Sequence, residues 1–195
     1  MPTSVHLIKA KTEDIPLIAQ LAKTIWHEHY TSIISIDQIT YMLDMMYSYP
    51  SLQEQMTTKE HDFYLIEQGS EKIGFISVSK LENDIHSYFI HKYYLLQNIA
   101  GKGHGTLAFI ELLKTLKPQE LRLTVNRQNY KSINFYFKNG FKIESVADFD
   151  IGNGYVMNDF VMVWRRWTEQ VRFSEMLLAP SATAWQLSFY RIRES

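Results

Sequence analysis

Three glycines alternate with single residues in Ala100-Gly-Lys-Gly-His-Gly-Thr106, just after the apolar run Tyr93-Tyr-Leu-Leu96. Leu107, Ile110, Leu113 and Leu116 then recur at helical spacing. A strand that breaks into glycines and opens a helix leaves the first-turn N–H groups unpaired at the positive end of the helix dipole. Such an end suits an anion, best a phosphate or pyrophosphate, and glycines let the ligand approach the backbone donors closely. The chain is thereby directed to folds in which a strand delivers a phosphate-binding loop to a helix.

At 195 residues, with 46% hydrophobic and 21% charged side chains, the chain has the size and composition of one globular domain. A net charge of −1 offers no electrostatic case for nucleic acid or an anionic membrane. The absence of cysteine removes disulfides, thiolate metal sites and a cysteinyl acyl carrier, and no metal is expected. Met1-Pro-Thr-Ser-Val-His6 lacks the basic and apolar regions of a signal peptide, and no apolar run reaches membrane-spanning length. A cytoplasmic setting is the default expectation.

The hydrophobic pattern predicts a strand at Val5–Ile8 and a helix from Thr12 to about Trp26. Ser35 and Gln38 suit a capping box for a second helix through Met46, with Pro50 interrupting it and Leu52–Met56 resuming. Phe63–Glu67 and Ile73–Ser79 read as a hairpin, and Ile85–Leu96 as a longer strand. After the glycine-loop helix come a strand at Leu121–Val125 and a helix capped by Asn129 and closed at Asn139-Gly140. A last hairpin, Phe141–Asp150 and Tyr155–Trp164, turns at Gly152-Asn-Gly154.

Two common nucleotide motifs fail on spacing. A P-loop requires G-x-x-x-x-G-K-[ST], whereas Lys102 lies between glycines with no Ser or Thr after a Gly-Lys. A dinucleotide fingerprint requires G-x-G-x-x-G and an acid on the next strand, and Leu121–Val125 carries none. What the residues do resemble is the GNAT superfamily of acyl-CoA-dependent N-acetyltransferases. Its acyl-CoA loop, Q-G-K-G-I-G in a common form, is matched at the glycines and lysine by Ala100-Gly-Lys-Gly-His-Gly105. Ala100 replaces the usual Gln or Arg, and His104 a small apolar residue. Leu121-Arg-Leu-Thr-Val-Asn126, Asn129, Ser132, Ile133, Tyr136 and Gly140-Phe141 are similar to the family's second motif.

The resemblance, running from about Val5 to Val163, implies an α+β fold. Its features would be a mostly antiparallel, twisted central sheet of six to seven strands with helices on both faces. Residues 1–164 would form the domain and 165–195 an extension. It further implies acetyl-CoA as co-substrate and a small amine as acceptor, joined by direct attack in a ternary complex. Backbone groups of Tyr94, Leu95 and Leu96 would pair with the pantetheine arm, the Leu95 N–H polarising the thioester carbonyl. Ala100, Gly101, Lys102, Gly103, His104, Gly105 and Thr106 would cradle the pyrophosphate, with Asn126 and Asn129 as further contacts.

Tyr136 would protonate the departing thiolate, a phenol being close enough in pKa to a thiol. For the base, Glu28 is the candidate, with His27 and His29 beside it, each of them equally a surface residue. Trp26 and Tyr30, joined by Tyr41, would wall the acceptor unless they only fill the core. Asp150, with Asp148 and Asp159, would attract a cationic amine unless solvated hairpin carboxylates are all they are. The closing segment Asp150–Met162 is similar to that of bacterial members related to polyamine acetyltransferases, so a spermidine-like acceptor is one expectation. A catalytically weak acyl-CoA-binding module and acetylation of a peptide amine stay open beside it. The tail, with Trp167, Phe173 and Trp185, suits a cover over an apolar patch, a homodimer interface or, most plainly, a variable extension.

Overall fold

The computed structural model describes residues 4–82, 84–99 and 101–166. Ala100 and the tail from residue 167, with the roles expected of them, lie outside the described residues. The order is β1 (Val5–Lys9), α1 (Ile15–His29), α2 (Ile36–Tyr47), α3 (Tyr49–Thr57), β2 (Asp62–Gln68), β3 (Glu71–Leu81) and β4 (Asp84–Leu95). There follow α4 (His104–Leu116), β5 (Glu120–Asn126), α5 (Tyr130–Lys138), β6 (Lys142–Asp150) and β7 (Val156–Arg165). The seven strands form one sheet in the order β1-β2-β3-β4-β5-β7-β6, with only β4 and β5 parallel. This is the mixed, mostly antiparallel architecture expected from the sequence. No helix among the described residues is long and apolar enough to cross a membrane.

Ser35 caps α2 by accepting from the N–H of Gln38 at 3.2 Å, and Asn129 caps α5 by accepting from Ser132 at the same distance. Pro50 does not interrupt a helix. It stands in the first turn of α3, where a missing N–H costs nothing, and the break from α2 falls at the extended Ser48.

Two apolar cores lie on the two faces of the sheet. Ile15, Ile18, Ala22, Ile25, Met42 and Leu52 of α1–α3 pack on Phe63, Leu65 and Phe75. On the other face Ala108, Phe109 and Leu112 of α4, with Ile133 and Tyr136 of α5, pack on Ile76, Ile90, Leu123 and Met162. The α1 residues recur at three and four, as an amphipathic helix on a sheet requires.

The functional geometry begins where β4 leaves β5. Their pairing runs only from Ser87↔Glu120 to Ile90↔Leu123. There β4 carries a bulge: Val78 faces Ile90 but Ser77 faces Lys92, leaving His91 over. Beyond it β4 stays paired with β3 alone, and a gap opens in the middle of the sheet.

Candidate functional site

A cleft of about 490 Å³ occupies that gap, lined by Tyr93–Leu95 of β4, the glycine loop and one side of α5. Leu96 donates its N–H to Ile73 across β3, so the alternation of a strand turns the backbone groups of Leu95 and Tyr93 toward the cleft. Leu95 is thus the residue of the three named from sequence whose amide faces the gap, whereas that of Leu96 is already used.

Gly101 and Gly103 adopt φ of +81° and +84°, a region closed to most side chains. Gly103 is the residue before α4, and Leu107 is the first to donate back along the helix, to the Gly103 carbonyl. The N–H groups of His104, Gly105 and Thr106 are therefore the orphans of the first turn. His104 itself is buried, its ring nitrogen 3.4 Å from the Ile99 carbonyl, and braces the loop from below. Lys102 is exposed, and Lys131 and Lys138 line the cleft from α5, a cationic contribution that the loop motif did not announce. Backbone donors, two left-handed glycines and flanking lysines fit a pyrophosphate.

A second space of about 120 Å³ lies under α1 and α2, with Trp26, Tyr30, Met42, Met46, Tyr47 and Met157 in its walls. Tyr30, Tyr93, Tyr94, Ser132 and Tyr136 line both spaces, which therefore meet at these side chains. Trp26 and Tyr30 pack 4.5 Å apart, so their roles as core and as wall coincide.

Asp159 faces this cavity and is fully buried. Register places it opposite Asn126, at the end of β5 that borders the gap. Neither carboxylate oxygen has a hydrogen-bond partner among the described residues. Burial pushes its pKa up to about 6, against the downward pull of nearby Thr124 and Arg127. A buried, unpartnered carboxylate is costly, and such groups mark sites that a ligand completes.

Lys92 also lines the cavity and is buried. Its Nζ donates to Gln55 Oε1 at 2.6 Å and lies over the rings of Tyr47 and Phe63. Burial, with Lys59 nearby, lowers its pKa to about 7.

Other positions named from sequence fall elsewhere. Glu28 is exposed and lines a surface hollow with Ser32 and Tyr130, not the cavity. Two residues after Trp26 on a helix, it points the opposite way. His27 bonds the Lys23 carbonyl at the surface. Asp150 is exposed and accepts from the Gly152 N–H at 2.8 Å, making the hairpin turn, while Asp148 binds Arg127. Tyr41 donates to the Ile151 carbonyl outside the cavity. Among the three hairpin carboxylates, Asp159 is the one that faces the site. Asn126 accepts from Gln128 N–H and lines the cavity, and Asn129, beyond capping α5, bonds His29. Tyr136 is buried between the two spaces, and its pKa is raised by that burial.

Residues 23–141 match the model of the acetyltransferase (GNAT) family. The chain is 28% identical over 154 residues to a spermidine N(1)-acetyltransferase of Thermoplasma acidophilum, spanning 75% of this chain and 94% of that one. The structure is similar to that of the PaiA N-acetyltransferase of the same organism in complex with coenzyme A. The TM-score is 0.70 and the identity 27%, covering 84% of this chain and 99% of that one. A GCN5-related N-acetyltransferase of Rhodopseudomonas palustris shares the fold at a TM-score of 0.68 and 14% identity, covering 85% and 98%. A sheet parted at β4 and β5, a phosphate-fitting glycine loop and these matches lead to one conclusion: the chain belongs to the GNAT acetyltransferase family and is an acetyl-CoA-dependent N-acetyltransferase.

Proposed function

We propose that this enzyme acetylates the primary amine of a small molecule, and that Asp159 receives that amine as its ammonium. The buried, unpartnered carboxylate beside the residues common to both spaces carries this reading. An ammonium supplies the charge and the donors that Asp159 lacks. The small volume under α1 and α2 favours a small acceptor over a peptide. The name of the Thermoplasma relative makes a spermidine-like amine the first acceptor to test.

Bound acetyl-CoA supplies an acetyl thioester. Leu95 offers its N–H to the carbonyl oxygen, and the loop from Gly101 to Thr106 with Lys131 holds the pyrophosphate end. Asp159 takes one proton from the ammonium, freeing the nitrogen lone pair. That nitrogen bonds to the carbonyl carbon as the carbon–sulfur bond breaks. Tyr136 gives its proton to the departing sulfur and regains one from the nitrogen as the amide forms. Amide, thiol and one released proton balance the exchange.

Thiol release from acetyl-CoA with spermidine, simple alkylamines, amino acids and peptides tests the proposal. Turnover on peptides alone would sink it, as would undiminished turnover in Asp159→Asn.

A further inference from the structure

The three loop glycines are there for two different reasons, and the third reason involves a tyrosine. Gly101 and Gly103 take left-handed backbone angles, whereas Gly105 lies in the first turn of α4 without a positive φ. A Cβ at Gly105 would come within 3.0 Å of Phe135 Cε2 on α5. The Phe135 ring in turn packs 5.4 Å from that of Tyr93 on β4. With no side chain at Gly105, the start of α4 sits close against both rings. There the Tyr93 hydroxyl donates to the Gly105 carbonyl at 2.7 Å. Burial, with Tyr136 nearby, holds the Tyr93 pKa well above the ordinary 10, so the hydroxyl keeps its hydrogen.

A carbonyl oxygen has two lone pairs. The ladder of α4 uses one for the Phe109 N–H, and Tyr93 takes the other. The Gly105 carbonyl shares one rigid, planar peptide with the Thr106 N–H, and the two point in opposite directions. That N–H is one of the three orphans at the start of α4, and Gly105 and Thr106 both line the cleft. A donor on the carbonyl holds the peptide plane in place. It also polarises the peptide, which makes its N–H a stronger donor.

We infer that Tyr93 is a positioning residue for the nucleotide end of acetyl-CoA: through the Gly105 carbonyl, its hydroxyl aims and strengthens the Thr106 N–H that meets the pyrophosphate. The inference rests on the reading of the glycine loop as the pyrophosphate site. It gives β4 two holds on one ligand, the Leu95 amide at the thioester and the Tyr93 side chain behind the loop. It also separates the two tyrosines that line this junction. Tyr93 spends its hydrogen on α4 and is not the proton donor to the departing sulfur, a task left to Tyr136.

Tyr93→Phe removes the hydroxyl and keeps the ring against Phe135. Isothermal titration is expected to show coenzyme A binding about fivefold more weakly, the effect of one lost hydrogen bond. In turnover the KM for acetyl-CoA is expected to rise by a similar factor, while kcat and the KM for the amine stay within about twofold of the parent. Unchanged affinity for coenzyme A overturns the inference, as does a loss carried by kcat, which would put Tyr93 in the chemistry. Proton–nitrogen-15 spectra read the relay without turnover. The Thr106 amide signal is expected to move downfield when coenzyme A binds the wild type and to move less in Tyr93→Phe, with the Leu95 amide responding alike in both. Equal attenuation at Leu95 would mean a general disturbance of the cleft and overturns the inference. A wild-type Thr106 amide that ignores coenzyme A would sink the loop reading and the inference with it. A wild-type response that survives intact in Tyr93→Phe sinks the inference alone.

Discussion

Lys92 donates to Gln55 across 2.6 Å in the interior of the α1–α3 side, a charged strand residue held by a neutral amide and two aromatic faces. Gln55 in turn donates to the Met46 carbonyl and to Ser51, so α2, α3 and β4 converge on one buried amine.

That burial has a pH signature. The folded pKa of about 7 lies below the ordinary 10.5, so the native state disfavours the charged form. The cost is present in full below about pH 7 and is relieved as pH rises toward 10.5, where the unfolded chain also loses the proton. At about 1.4 kcal/mol per unit it reaches about 5 kcal/mol at most. Lys92→Met is expected to raise the urea midpoint near pH 6, with a gain that shrinks by about pH 10. A gain independent of pH would mean that packing, not charge, is responsible.

Asp159→Asn should trade activity for stability. The pKa of about 6 exceeds the ordinary 3.8, so between them the native state binds the extra proton and stability falls as pH rises. Above about 6 the ionised carboxylate costs about 3 kcal/mol, at about 1.4 per unit. The asparagine variant is expected to melt higher at neutral pH while losing about a hundredfold in kcat/KM for the amine. Wild-type turnover should rise with pH through about 6, where the carboxylate ionises, and the variant should lack that limb. A variant no more stable than the parent would mean that the carboxylate has a partner in solution.

Tyr136→Phe removes the proposed proton donor while leaving the ring in its contacts with Phe135 and Phe141. A fall of about tenfold in kcat is expected, with little change in either KM. Because burial raises the phenol, no alkaline limb due to Tyr136 should appear below about pH 10. Unchanged kcat would remove Tyr136 from the chemistry.

Gly103→Ala places a methyl at φ +84°, in open space but in a backbone region that costs a non-glycine residue about 1–2 kcal/mol. The loop is expected to relax away from that conformation and turn its donors aside. Isothermal titration should then show coenzyme A binding about tenfold more weakly, and the amine KM should stay near that of the parent. A loss confined to the amine would contradict the assignment of the loop.

The parts of the fold visible in the sequence were those set by neighbours along the chain. The caps at Ser35 and Asn129, the glycine turns and the α1 periodicity all depend on a few consecutive residues. The failures follow the same logic. Asp159 sits in an ordinary alternating strand, and only pairing with Asn126 and cover from α1 and α2 make it an interior carboxylate. Lys92 lies in a run of aromatic and apolar residues where nothing local announces Gln55, 37 positions earlier. The bulge at His91 arises from two neighbouring strands at once. For Glu28 the signal was present: with Trp26 facing inward, helical phase alone turns Glu28 to solvent.

The short seam between β4 and β5 has a further consequence for turnover. On the proposed reading, a sheet parted at its centre acts as a bulkhead with a port through it, the nucleotide berthed in the cleft at the glycine loop and the amine in the cavity under α1 and α2. The two substrates would then meet only where both spaces share their walls, at Tyr30, Tyr93, Tyr94, Ser132 and Tyr136.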